Sequence, residues 1–118
     1  MSFTQAIEAG FKNYVNFNDR ASRSEYWYWF LFVVLAQIVL AIVDMVIGLN
    51  VLTILFTLGA LIPGIAVSVR RLHDLDKSGW FLLIALIPIA GAIIVLVWMC
   101  QAGTPGPNRF GPVRVVAA

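Results

Sequence analysis

The run Arg70-Arg71-Leu72-His73-Asp74 holds the densest set of reactive side chains in this sequence. An imidazole beside a carboxylate is the pairing of a general base with the group that orients it. Adjacent residues on a helix project about 100° apart, however, so adjacency alone does not make a dyad. No Ser, Cys or Thr nucleophile stands at a known spacing from His73, and no His-Glu-x-x-His metal motif occurs. The residues therefore name no catalytic set and no metal or other cofactor. A salt bridge of Asp74 or Asp76 with Arg71 or Arg23 is the more ordinary use of the same side chains. The arginines carry a second chemistry, because a planar guanidinium binds phosphate with two N–H groups at once. Arg20, Arg23, Arg70, Arg71 and Lys77 all border long apolar runs and form a candidate basic rim for anionic lipid headgroups. Their simpler role is to set membrane topology and snorkel to the interface.

Two polar residues lie within an apolar run. Gln37 and Asp44 are seven apart, hence on one helix face. An ionised carboxylate at a bilayer centre costs about 2.5–3.5 kcal/mol, and less near a helix end. Asp44 is within a turn of the end of its run, so a structural role reaching water is expected. The functional alternative is an ion or proton path lined by Gln37, Asp44, Thr53 and Thr57. The single cysteine, Cys100, has no partner for an intramolecular disulfide.

These residues are positioned by three apolar runs, Tyr26–Ile47, Val51–Val69 and Trp80–Cys100, in which Asp44 is the only charge. Each is about 19–22 residues long, which at 1.5 Å per residue matches a hydrocarbon core of about 30 Å. Lipid leaves backbone groups no other partners, so each run is expected to be a spanning helix. Ser22 and Glu25 fit a capping box at the entrance to the first, followed by the aromatic cluster Tyr26-Trp27-Tyr28-Trp29. Gly48-Leu49-Asn50 is a tight turn, so the first two spans are antiparallel neighbours. A polar loop, Arg70–Gly79, leads to the third span, with Ser78 as N-cap and Trp80 and Trp98 as interfacial anchors. Pro63 and Pro88 each bend or loosen their helix. Small residues on the second run (Thr53, Thr57, Ala60, Gly64, Ser68) favour close helix packing and self-association.

Before the first span, Phe3, Ile7, Phe11 and Tyr14 stack on one face of a short amphipathic helix over residues 3–15. It either rests in the headgroup layer or packs on the protein's own helices. The first 25 residues lack the form of a cleaved signal peptide, so the first span is expected to be an uncleaved anchor. The tail, residues 101–118, is rich in Gly and Pro and predicted to be turn-like. The fold class is thus an all-α membrane protein in a single domain, residues 1–118.

Composition agrees. Of 118 residues, 61% are hydrophobic and 12% charged, about half the charged share of a soluble domain. Mean hydropathy is +0.91. Net charge is +2, but no basic block with interleaved exposed aromatics points to nucleic acid. Lys12, Arg20 and Arg23 precede the first span, and Arg70, Arg71 and Lys77 follow the second. The positive-inside rule places both groups in the cytoplasm. Three crossings then leave the tail outside, with Arg109 and Arg114 as the exceptions.

Three polar motifs recur in an order that carries a family resemblance: Arg20-Ala21-Ser22-Arg23-Ser24-Glu25-Tyr26-Trp27; Arg70-Arg71-Leu72-His73-Asp74 with Lys77-Ser78-Gly79-Trp80; and Gly103-Thr104-Pro105-Gly106-Pro107-Asn108-Arg109-Phe110-Gly111. Over about residues 8–112 the chain resembles the small bacterial inner-membrane proteins called domain of unknown function 805. The resemblance implies a multi-pass inner-membrane protein and supplies no catalytic residues. The first functional expectation is a non-enzymatic component that self-associates or binds a membrane-protein partner or lipid. An oligomeric transporter or channel is the alternative, and a lipid-modifying enzyme using His73 and Asp74 the third.

Overall fold

A computed structural model describes residues 2–112; Arg114 lies outside the described residues. Helix α1 spans Phe3–Lys12 and starts with a reciprocal capping box. The Gln5 N–H donates to Ser2 Oγ at 3.2 Å, and the Ser2 N–H donates to Gln5 Oε1 at 2.9 Å. Ala6, Ala9 and Gly10 are buried, and their small size brings α1 close to the next helix. A Cβ on Gly10 would lie 2.2 Å from the Trp29 ring. Phe3 meets Tyr28 edge-on at 5.9 Å, and Phe11 meets Trp29 at 5.3 Å. Tyr14 donates its hydroxyl to the Gly59 carbonyl. Of the two expectations for this segment, packing on the protein's own helices is the one observed.

Helix α2, Arg23–Ile47, is capped by Ser22, whose Oγ accepts the Glu25 N–H at 3.2 Å. It ends at Gly48, whose φ of 75° is the left-handed conformation a side chain resists. Helix α3, Val51–Asp74, returns antiparallel and keeps Pro63 within it. The polar stretch expected to be a loop from Arg70 onward begins as the last turn of α3, so Arg70, Arg71, His73 and Asp74 are helical residues. Among the described residues, α2 and α3 are the two helices long and apolar enough to cross a membrane.

The third apolar run is not one spanning helix, and this corrects the expectation of three. Residues Gly79–Leu86 form a 3-10 helix, and α4 covers only Ala90–Cys100. At 11 residues α4 rises about 16 Å, half a bilayer core. The reversal between them has local causes. Pro88 removes a donor and biases Ile87 to extended backbone, and Ile89 takes φ 64°. Gly91 then passes so close to the Ile84 carbonyl oxygen that a Cβ would sit 1.8 Å away. The run folds back as a hairpin whose arms touch through Phe81 and Trp98, 5.9 Å apart. The tail is therefore carried to the end of the molecule that bears Arg20 and Asp74, whereas a third crossing would have left it at the far end.

Large apolar side chains face outward along α2, α3 and α4, and few apolar residues are buried among the described residues, Ala21, Trp29, Val67 and Leu72 near the polar end among them. Gly10→Ala is expected to lower the thermal unfolding midpoint in detergent. Overpacking costs about 1–3 kcal/mol, against a helix-propensity gain of about 1 kcal/mol. Gly64→Ala, with no atom within 4 Å of the added carbon, should leave the midpoint unchanged or raise it. Tryptophan fluorescence reads both, and a Gly10→Ala midpoint at or above wild type would disprove the close α1–α2 approach.

Candidate functional site

The polar end is built around the Asp74 carboxylate on the last turn of α3. Its Oδ1 accepts Arg20 Nε at 3.0 Å and lies 2.9 Å from Arg20 Nη2 as an ion pair, and its Oδ2 accepts Arg71 Nη1 at 2.5 Å. Beside it, Glu25 on the first turn of α2 pairs with Arg70 Nη1 at 2.5 Å. Arg20, Arg70 and Arg71 are at most 2% exposed, and Glu25 is fully buried. Burial of this kind costs several kcal/mol per ion, so each guanidinium must be met by dense hydrogen bonding.

The tail supplies much of it. Arg20 Nη1 donates to the Gly106 carbonyl at 2.9 Å and to that of Gly111 at 3.2 Å, while Nη2 donates to the Thr104 carbonyl at 2.8 Å. Arg71 Nη2 donates to the Gln101 carbonyl. The Thr104 N–H donates to the Asp74 carbonyl at 2.7 Å, and Asn108 Nδ2 donates to the His73 carbonyl at 2.9 Å. The hairpin is tied to the same end: Trp27 Nε1 donates to the Met99 carbonyl at 3.0 Å, and Arg23 Nη1 to that of Cys100 at 3.3 Å. Guanidinium donors still exceed acceptors, since Arg70 Nε and Nη2 and Arg71 Nε have no hydrogen-bond partner among the described residues.

The residues singled out as a basic rim thus do not form one surface. Arg20, Arg70 and Arg71 point inward, Arg23 is exposed, and Lys77 stands 5.2 Å over the Trp98 ring. His73 and Asp74 do not bond to one another. His73 Nδ1 is held 2.9 Å from the Asp19 carbonyl, and the Asp74 carboxylate belongs to the arginines. Asp76 forms an exposed pair with Arg109 at 3.3 Å.

Gln37 and Asp44 do come together with Thr53 and Thr57, in one hydrogen-bonded chain between α2 and α3. Gln37 Nε2 donates to Thr57 Oγ1 at 2.8 Å, and Thr57 Oγ1 donates to the Thr53 carbonyl at 2.8 Å. The Thr53 hydroxyl and N–H both donate to Asp44 Oδ2, at 2.8 and 2.9 Å, and the Leu52 N–H donates to Oδ1 at 3.2 Å. Asp44 therefore caps α3 from the preceding helix, at a terminus where Asn50 makes no side-chain cap. Sequence reasoning passed over this cap and the Glu25–Arg70 pair, because no local spacing joins residues on different helices.

Asp74→Asn leaves Arg20 and Arg71 without their counter-charge and is expected to destabilise the fold by about 3–5 kcal/mol. The tail loosens with it, so limited trypsin digestion should cut after Arg109 faster than in the wild type. Asp76→Asn, in the exposed pair, should change stability by less than about 1 kcal/mol. Equal effects of the two substitutions would remove Asp74 from the centre of the network.

Comparison with known proteins places this arrangement in a family. Residues 14–112 match the family described as protein of unknown function (DUF805). Inner membrane protein YhaH of Escherichia coli (strain K12) is 45% identical over 107 residues, covering 86% of this chain and 88% of that protein. Inner membrane protein YhaI of the same strain is 38% identical over 102 residues, covering 85% and 86%. No solved structure matches. The ordered motifs that build the buried network, Arg20–Glu25, Arg70–Asp74 and Gly103–Gly111, all fall within the matched stretch, and the chain belongs to the DUF805 family of small inner membrane proteins of unknown function.

Proposed function

We propose that this protein is a non-enzymatic component of the bacterial inner membrane that binds lipid or another membrane protein, a second copy of itself included, along its apolar faces. The observation that carries the reading is the use of its polar groups. Asp44, Gln37, Thr53 and Thr57 are joined to one another between α2 and α3, and Asp74 and Glu25 are joined to arginines. Most of the side chains facing outward on α2 and α3 are large and apolar, among them Ile38, Val39, Met45, Leu55 and Leu58. Lipid and apolar helices are the partners that such a surface takes.

In this reading α2 and α3 cross the bilayer, and residues 79–100 enter as a re-entrant hairpin from the side they leave. Both ends of the described chain are then cytoplasmic. The charges support it: Lys12, Arg20 and Arg23 come before or at the start of the first crossing, and Arg70, Arg71, Lys77 and Arg109 come after the second. A single face then carries all seven, as the positive-inside rule favours, and Arg109 ceases to be an exception. The basic rim for anionic headgroups narrows to the outward-facing members, Arg23 and Lys77. An oligomeric channel would have to be lined by Gln37 and Thr57, while Asp44 is buried and held by the Thr53 and Leu52 N–H groups.

The topology is tested in a Cys100→Ser background with a membrane-impermeant maleimide on sealed spheroplasts. Asn50→Cys is expected to label from outside, and Pro107→Cys only after the membrane is opened. Outward labelling at 107 would restore the third crossing. For function, proteoliposomes of the purified protein are expected to pass protons, potassium and sodium no faster than empty vesicles. A saturable flux that Asp44→Asn abolishes would replace the binding reading with a transporter.

A further inference from the structure

His73 is a polar side chain at this end of which one ring nitrogen is engaged. The Asp19 carbonyl can only accept a hydrogen bond, so His73 Nδ1, 2.9 Å away, is the donor. The ring stacks on Phe110 with centroids 3.9 Å apart. Nε2 makes no hydrogen bond among the described residues, and His73 forms part of the wall of a cavity of about 630 Å³. That volume is within the range of about 300–1,000 Å³ used by small-ligand sites.

The lining has a direction. Along α3 it passes from His73 through Val69 to Ile65, a rise of about 12 Å that leads from the polar end into the apolar run. Leu83 of the 3-10 helix faces it, while Asn18 and Ser78 add neutral polar groups. No lysine, arginine or acidic residue lines it among the described residues. Such a cavity crosses the level at which headgroups give way to acyl chains, and its lining carries no charge to clamp a bare phosphate.

Taking the chain as a lipid-embedded component, as proposed above, we infer that this cavity holds one acyl chain of a membrane phospholipid whose headgroup donates a hydrogen bond to His73 Nε2. In the neutral imidazole, with the hydrogen on Nδ1, Nε2 presents a lone pair, so the headgroup must bring the hydrogen. A glycerol hydroxyl or an ethanolamine ammonium does so; a choline headgroup has no such donor.

His73 is the only histidine in the chain, so imidazole ¹⁵N labelling reports on this site alone. The full-length protein in maltoside micelles, at fixed pH, is titrated with phosphatidylglycerol, phosphatidylethanolamine or phosphatidylcholine. The Nε2 resonance is expected to shift and saturate at about one lipid per chain with the first two lipids and not with the third. Ile65→Trp, which fills the apolar end away from the imidazole, should raise the half-saturating lipid concentration about tenfold. An unchanged Nδ1 resonance in that variant shows that the Asp19 contact and the local fold persist; if it moves, Leu83→Trp fills the cavity from the opposite wall. Equal shifts with phosphatidylcholine, or a titration that never saturates, overturn the headgroup bond. Saturation unaltered by filling the cavity overturns the acyl-chain site. The membrane-component reading fails by another sign, a saturable flux that Asp44→Asn abolishes, which does not depend on His73.

Discussion

Asp74 ties three stretches of chain together. Arg20 reaches it from the segment before α2, Arg71 from α3, and the tail through the Asp74 carbonyl and the remaining nitrogens of Arg20. Buried ions are costly unless geometry and hydrogen bonding are nearly complete, so such a network adds specificity more readily than stability. Displacing any one stretch leaves the others with uncompensated charge or unmet guanidinium donors. The constraint extends to neighbours without charge: a Cβ on Gly103 would lie 2.0 Å from Asp74 Oδ2. Glycine at that position is what lets the tail backbone close over the carboxylate.

In lipid, helix association gains little from the hydrophobic effect, because the surrounding tails are as apolar as the helices. The α2–α3 pair is accordingly joined by polar links at three levels. Asp44 caps α3 beside the Gly48 turn, Gln37 meets Thr57 midway, and Glu25 meets Arg70 at the polar end. Helix α1 completes this unit by offering Ala6, Ala9 and Gly10 to the aromatic start of α2.

The hairpin obeys the same demand for satisfied backbone groups. A helix leaves its last carbonyls unpaired, and those at Met99, Cys100 and the cap residue Gln101 are taken by Trp27, Arg23 and Arg71. Two of the three donors are cationic, which also suits the negative end of the helix dipole. Donors of this kind belong to the start of α2 and the end of α3, so α4 can finish in this way only where those two elements meet. The reversal at Pro88 and the arginines at the polar end are therefore two parts of one arrangement.

By itself the sequence determined the solvent, the helical class and the local stops. The first two apolar runs, the Ser22 cap, the Gly48 turn and the family motifs are properties of neighbouring residues, and each is found where spacing put it. Gln37 and Asp44, seven apart, do face one partner helix. Only the tertiary structure decided the fate of the third run. Hydropathy measures how apolar a segment is and says nothing of direction, so it could not separate a crossing from a hairpin. Pro88 was legible as a weak point, but reversal needed Gly91 against Ile84 and carbonyl acceptors within reach of Arg23 and Arg71. The roles of the arginines were hidden for the same reason. Whether a guanidinium faces lipid or is buried depends on where carboxylates and carbonyls from distant chain segments lie, and Arg20 meets its partners 54 and more residues away.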